Sequence, residues 1–120
     1  MDVSTVLVVD DSPTDLHLLT GYLQHNGYRP LQASSGEEAL RKASAEHPDL
    51  ILMDVVMPGM NGFEATRSLA KNPDTRDIPV IVVTSKNQET DKIWAMRQGA
   101  RDFVSKPVDE KTLIGMIRKL

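Results

Sequence analysis

Cysteine is absent from this sequence. Disulfide staples, thiolate metal sites and cysteine nucleophiles are excluded with it, so the compartment has to be inferred from other features. Long apolar runs are missing too. Stretches such as Val6 to Val9 are far too short to cross a bilayer, and Met1-Asp2-Val3-Ser4-Thr5 lacks the basic-then-apolar signature of a signal peptide. No membrane partner is expected, and a cytoplasmic home is compatible with this. An excess of positive charge is also lacking: 14 Lys and Arg stand against 17 Asp and Glu, a net charge of −3, and the charges are scattered. That balance argues against a dedicated nucleic-acid module, so any DNA-binding role needs another chain. What remains is 120 residues, 40% of them hydrophobic, with no linker or low-complexity tract. This suffices for one domain that buries roughly two thirds of its unfolded surface, without metal or disulfide to hold the core.

Short apolar runs rich in β-branched residues recur at Thr5 to Val9, Asp49 to Asp54 and Ile78 to Val83. They read as strands buried on both faces. Weaker candidates lie at Tyr28 to Ala33 and Asp102 to Ser105, with segments of helical length and period between all five. Strand alternating with helix predicts a doubly wound α/β fold with a five-stranded parallel sheet and five helices. The helix boundaries are legible. Ser12-Pro13 offers an N-cap followed by proline at the first helical position, Leu16, Leu19 and Leu23 repeat on one face, and Asn26-Gly27 stops the helix. Ser35 to Glu38 predicts a capping box, with Ala39, Leu40 and Ala43 buried behind it and His47-Pro48 ending the helix. Asn61 and Glu64 flank the third start, with Phe63 and Leu69 inward, and Asn72-Pro73 ends it. A fourth helix is expected over Asn87 to Gln98, before Gly99. Asp109 caps the last, whose Leu113, Ile114 and Ile117 face inward. The expected organisation is a single domain over residues 1–120 with no output domain attached.

In an open parallel sheet, chemistry gathers at the carboxyl ends of the strands beside a topological switch point. The first strand delivers Asp10 and Asp11 there, the third Asp54, the fourth Thr84 and Ser85, and the fifth Lys106 followed by Pro107. Three carboxylates crowded in one cleft either take up protons or share a cation. Oxygen-only ligation suits Mg²⁺, and one lysine carries too little charge to replace it. With such an ion present, Asp54 is a competent nucleophile toward phosphorus, and the Lys106 ammonium and Thr84 hydroxyl are suited to hold the transferred oxygens.

Val9-Asp10-Asp11-Ser12, Leu52 to Gly62, Val83-Thr84-Ser85, Gly99 to Phe103 and Lys106-Pro107 together resemble the response-regulator receiver domain, over essentially the whole chain. The resemblance implies a flavodoxin-like fold with strand order 2-1-3-4-5 and a phosphoacceptor signalling protein that catalyses only its own phosphorylation and dephosphorylation. It implies Mg²⁺ on Asp10, Asp11, Asp54 and the backbone carbonyl of Val56, phosphorylation of Asp54 by a histidine kinase, and stabilisation by Thr84 and Lys106. It further implies a switch through Thr84 and Phe103, which stands where many relatives carry Tyr, and a cis bond before Pro107. Gln88 to Lys92, Trp94, Arg97 to Asp102, Asn61-Gly62-Phe63 and Pro107 to Glu110 are similar to the single-domain receivers of bacterial twitching motility, the pilus H type. That likeness implies a chemotaxis-like histidine kinase as partner and a downstream effector, such as pilus motor machinery, bound through the fourth helix, fifth strand and fifth helix.

Taken singly, these residues have plainer readings. Asp10 and Asp11 stand near a helix start, where an acid gains about 0.3 to 1 kcal/mol from the helix dipole. Asp54 to Gly59 reads as a turn, and Lys106-Pro107 as a strand end; only their meeting at successive strand ends points to a site. Trp94 reads either as an exposed partner anchor near Lys92 and Met96 or, more readily, as partly buried against a neighbouring helix, and His17, His25 and His47 are too scattered to share a metal or relay a phosphoryl group. Competing functions are a phosphate sink for a shared kinase and a constitutive protein-binding module. A metal-dependent phosphatase lacks its second acid, since Val56 stands two residues after Asp54. A flavin module is disfavoured because Asp10-Asp11-Ser12-Pro13 repels a phosphate at the first turn.

Overall fold

Because β1 (Thr5–Val9), β3 (Leu50–Met53) and β4 (Val80–Thr84) are apolar on both faces, each needs cover above and below. The computed structural model, which describes residues 2–120, supplies it with one parallel sheet in the order β2-β1-β3-β4-β5. The two less apolar strands, β2 (Arg29–Ala33) and β5 (Asp102–Ser105), take the edges, where half-exposed and polar positions are tolerated.

Side-chain alternation along the strands divides the core in two. Val6, Val8, Leu50, Leu52, Ile81 and Val83 face α1 (Pro13–His25) and α5 (Glu110–Arg118), meeting Leu19, Leu23, Leu113, Ile114 and Ile117. Leu7, Val9, Ile51, Met53 and Val80 point the other way, onto Ala39 and Ala43 of α2 (Gly36–Glu46) and Ala65 and Leu69 of α3 (Gly62–Lys71). Val55, Val82, Ala95 and Ala100 form a smaller cluster under α4 (Glu89–Arg97), with Phe63 and Phe103 packed half-buried against it.

The helix starts of α1, α3 and α5 follow the capping chemistry read from the sequence, while α2 and α4 depart from it. Ser12 accepts the Asp15 amide at 3.3 Å with Pro13 just inside the helix, and Asp109 accepts the Thr112 amide at 2.7 Å. Asn61 and Glu64 exchange both bonds of a capping box. The box expected over Ser35 to Glu38 is only half made: Ser35 accepts the Glu38 amide at 3.1 Å, but the Glu38 carboxylate reaches past its cap to the Ser34 amide at 2.6 Å. That charge-assisted bond holds the Glu38 carboxyl below its ordinary range. The fourth helix is shorter than expected, starting at Glu89 and ending at Arg97. Leu40 and Phe63 are half-buried rather than fully inward. Trp94 is 48% exposed, so about half of it is covered; it borders a groove with Arg67, Ala70 and Lys71 of α3 and stands beside exposed Ile93 and Met96.

Strand register positions the site. Val9 pairs with Met53 and Thr84 with Ser105, so Asp10 and Asp54 leave adjacent strands side by side, and Lys106 leaves β5 level with the residue after Thr84.

Candidate active site

The strand ends open into a cleft whose floor carries charge. Asp10 is only 1% exposed and Asp54 6%, while Asp11 faces solvent. Carboxylate oxygens of all three lie within 4.8 Å of one another. Asp10 Oδ1 accepts the Ser12 amide at 3.0 Å, and Asp54 Oδ1 accepts the amides of Val55 at 2.8 Å and Val56 at 3.4 Å. One oxygen of each buried acid is thus held by backbone, and the other turns to Lys106.

The Lys106 ammonium donates to Asp10 Oδ2 at 2.6 Å, to Asp15 Oδ2 at 2.8 Å and to Asp54 Oδ2 at 3.3 Å. Burial by itself disfavours the charged lysine. The hydrogen bonds to Asp10 and Asp15 and the charges of Asp54 and Asp10 outweigh this, and its pKa is raised above the usual lysine range. For Asp10 the balance falls the other way: burial pushes its carboxyl up, the Asp54 charge adds to the push, and the bonds from Lys106 and Ser12 do not fully offset them. Three carboxylates converge on one ammonium, and a fourth, Asp11, lies close to two of them. The donor set is all oxygen and short of positive charge, which fits a hard divalent cation held by Asp10, Asp11 and Asp54.

The sequence-predicted residues are not all brought to the same surface. Asp10, Asp11, Asp54, Val56, Lys106 and Pro107 line the cleft, together with Ser85. Thr84 is fully buried, and its hydroxyl accepts the Lys86 amide at 3.2 Å. Phe103 packs on β5 against the small cluster under α4. The Lys106–Pro107 bond is cis. The side chains of His17, His25 and His47 do not line the cleft; His25 instead pairs with Glu110 between α1 and α5.

Two residues have roles that the sequence reading does not assign. Asp15 was hidden in the helix it helps begin, although its position three residues after the Ser12 cap sets it in the first turn, over the strand ends. Gly62 starts α3 with its amide on the Val55 carbonyl at 3.0 Å, and a Cβ there meets the Asp54 carbonyl oxygen at 2.1 Å. Only a glycine lets α3 start this close to the segment that presents Asp54.

The family description for the response regulator receiver domain matches residues 6–118. This chain belongs to the response regulator receiver family. Among receivers, it is 53% identical to protein PilH of Pseudomonas aeruginosa over 115 residues, 96% of this chain and 95% of PilH. It is 41% identical to the response regulator PleD of Caulobacter vibrioides, over 96% of this chain but only 25% of that longer protein. The receiver fold superposes on chemotaxis protein CheY4 of Vibrio cholerae with a TM-score of 0.92 at 30% identity, covering 98% of each chain. A further receiver, that of the sensor histidine kinase PA1611 from Pseudomonas aeruginosa, was solved with a magnesium ion coordinated in its active-site cleft. It matches with a TM-score of 0.90 at 27% identity, covering 98% of this chain and 97% of that one.

Proposed function

We propose that this receiver accepts a phosphoryl group on Asp54 from a histidine kinase and converts that modification into a change of partner binding. The observation that carries the reading is the meeting of Asp10, Asp11 and Asp54 within ligand distance of one another, with Lys106 as the cation that touches two of them. A carboxylate of Asp54 attacks the phosphorus of the kinase phosphohistidine. The new bond is an acyl phosphate O–P bond, the N–P bond breaks, and the imidazole leaves. Asp10, Asp11, Asp54 and the Val56 carbonyl are the residues assigned to Mg²⁺, which when bound neutralises charge on the transferred group.

The remaining roles belong to the chain's own groups. The Val55 and Val56 amides hold one Asp54 oxygen, so the nucleophile is oriented before a donor arrives. Lys106, at 3.3 Å from the other oxygen, is placed to follow the phosphoryl group. The Thr84 hydroxyl gives up the Lys86 amide to reach it, and Phe103 moves into the space this leaves beneath α4. Without a ring hydroxyl, Phe103 acts through packing alone. The readout surface is the face of α4, β5 and α5, where Ile93, Trp94 and Met96 stand exposed. Likeness to PilH along nearly the full length of both chains supports twitching motility through type IV pili as the process. In that setting the kinase is chemotaxis-like, the effector belongs to the pilus machinery, the chain works as a single receiver unit, and the site is cytoplasmic.

The test is intact mass after incubation with Mg²⁺ and a small acyl phosphate. One added phosphoryl group is expected, and it should be lost in Asp54→Asn and in a metal-free control. No adduct, together with no binding of beryllofluoride, would leave a constitutive binding module instead.

A further inference from the structure

Asp15 is the one acid in the cleft that the phosphoacceptor reading does not use, yet it lies 2.8 Å from the Lys106 ammonium, closer than Asp54 at 3.3 Å. It is also the Lys106 partner that stands outside the set of carboxylates close enough to share an ion. These two facts separate the three contacts of Lys106. Asp10 and Asp54 are assigned to the metal, so their charge is shared whenever the cation is bound, and their hold on the ammonium weakens. Asp15 stands outside that set, so a cation bound there would leave the Asp15–Lys106 pair as the contact it does not share.

We propose that Asp15 is a positioning residue: it holds Lys106 in a parked state and competes with the incoming phosphoryl group for the same ammonium. The proposal rests on Asp54 being the phosphoacceptor. Its physical basis is that one ammonium cannot fully serve Asp15 and a phosphoryl oxygen at once, so each phosphorylation event must break an ion pair before Lys106 stabilises the new charge. The Asp15 carboxylate also adds repulsion toward any anionic donor entering the cleft. Its side chain is about a third exposed, so the effect is partly screened and moderate in size. The plainer account is that Asp15 is only a first-turn acid, favourable to the α1 dipole and capped through Ser12.

The discriminating experiment follows acetyl phosphate phosphorylation by intact mass across donor concentrations in saturating Mg²⁺, for the native protein, Asp15→Asn and Asp15→Glu. Mg²⁺ affinity of each is measured separately by calorimetry. Asp15→Asn is expected to lower the half-saturating donor concentration by about threefold or more, with a smaller change in maximal rate and with Mg²⁺ affinity within about threefold of native. Asp15→Glu, which keeps the charge on a side chain one methylene longer, should keep the native concentration dependence. A first-turn helix role predicts changed thermal stability with unchanged donor dependence, and that result would overturn the proposal. So would a higher half-saturating concentration in Asp15→Asn, which would make Asp15 a support for Lys106 rather than a competitor, or a large loss of Mg²⁺ affinity. If the native protein itself takes no phosphoryl group, the phosphoacceptor reading fails first and the proposal with it.

Discussion

Asp54 depends on a neighbour that has no side chain. The Gly62 Cα lies so close to the Asp54–Val55 peptide that a methyl group placed there sits 2.1 Å from a carbonyl oxygen and 2.7 Å from the Val55 Cα. Neither atom is the end of a flexible side chain, so the strain has to be taken by moving backbone. Gly62→Ala is therefore expected to destabilise the protein by about 1–3 kcal/mol and to slow acyl phosphate uptake, because the amides that orient the Asp54 carboxylate belong to the same displaced segment. Urea denaturation and intact-mass kinetics check the two effects separately. The acids and the lysine were legible in the sequence because charge interrupts an otherwise apolar strand at its end. Gly62 gave a weaker signal, since its role rests on a distance between α3 and β3 that no local pattern states. Asp15 gave none beyond its helix position, and its pairing spans 91 residues of chain.

At the scale of elements, the caps explain why α1 begins where it lines the cleft and why α3 begins against the segment that carries Asp54. Asn61 and Glu64 close the box that starts α3 beside the segment that carries Asp54. Farther from the site, α1 and α5 are tied together at their ends by Glu110, which accepts hydrogen bonds from His25 at 2.5 Å and Asn26 at 2.8 Å. Those bonds hold the Glu110 carboxyl below the ordinary glutamate range. A carboxyl whose pKa is depressed on folding contributes stability above its unfolded value, near 4.5, and loses that contribution as pH falls through the folded value. Denaturation midpoints measured from neutral pH down through the acid range should thus fall less steeply for Glu110→Gln than for the native protein. Strands were read from the sequence more surely in the sheet centre than at its edges. β1, β3 and β4 are covered on both faces and show it in composition, whereas β2 and β5 alternate irregularly because one flank of each is open. The half-made capping box at Ser35 shows the limit of local patterns. Glu38 has a stronger partner in the Ser34 amide, one residue beyond the cap that the pattern names.

For the whole molecule, the cleft is a place where folding has concentrated like charge. Asp10 is buried deeply enough that its carboxyl is pushed up in the absence of a cation, which marks a local electrostatic cost carried by the fold. A divalent ion that binds only the folded state relieves it. At a Mg²⁺ concentration 100 times the dissociation constant, linkage gives about 2.7 kcal/mol of added stability. Unfolding curves with and without Mg²⁺ should show that gain for the native protein and little of it for Asp11→Asn, which keeps the buried core unchanged because Asp11 faces solvent. The gain should persist in Ca²⁺ only to the extent that the site tolerates longer oxygen distances.

The sequence by itself determined the class of fold, because both-sided apolar strands separated by capped amphipathic helices have few arrangements other than a parallel sheet with helices on each face. It also determined which chemical groups stand at the strand ends, since those positions follow from where each apolar run stops. Tertiary structure alone decided how the groups share charge. Setting Val9 against Met53 brings Asp10 beside Asp54, β5 delivers Lys106 from the far end of the chain between them, and the first turn of α1 brings Asp15 onto the same ammonium. Those are contacts across strands and across 52 to 96 residues of sequence. They arise from register and helix placement, which the packing of the whole core sets and no local stretch of residues encodes.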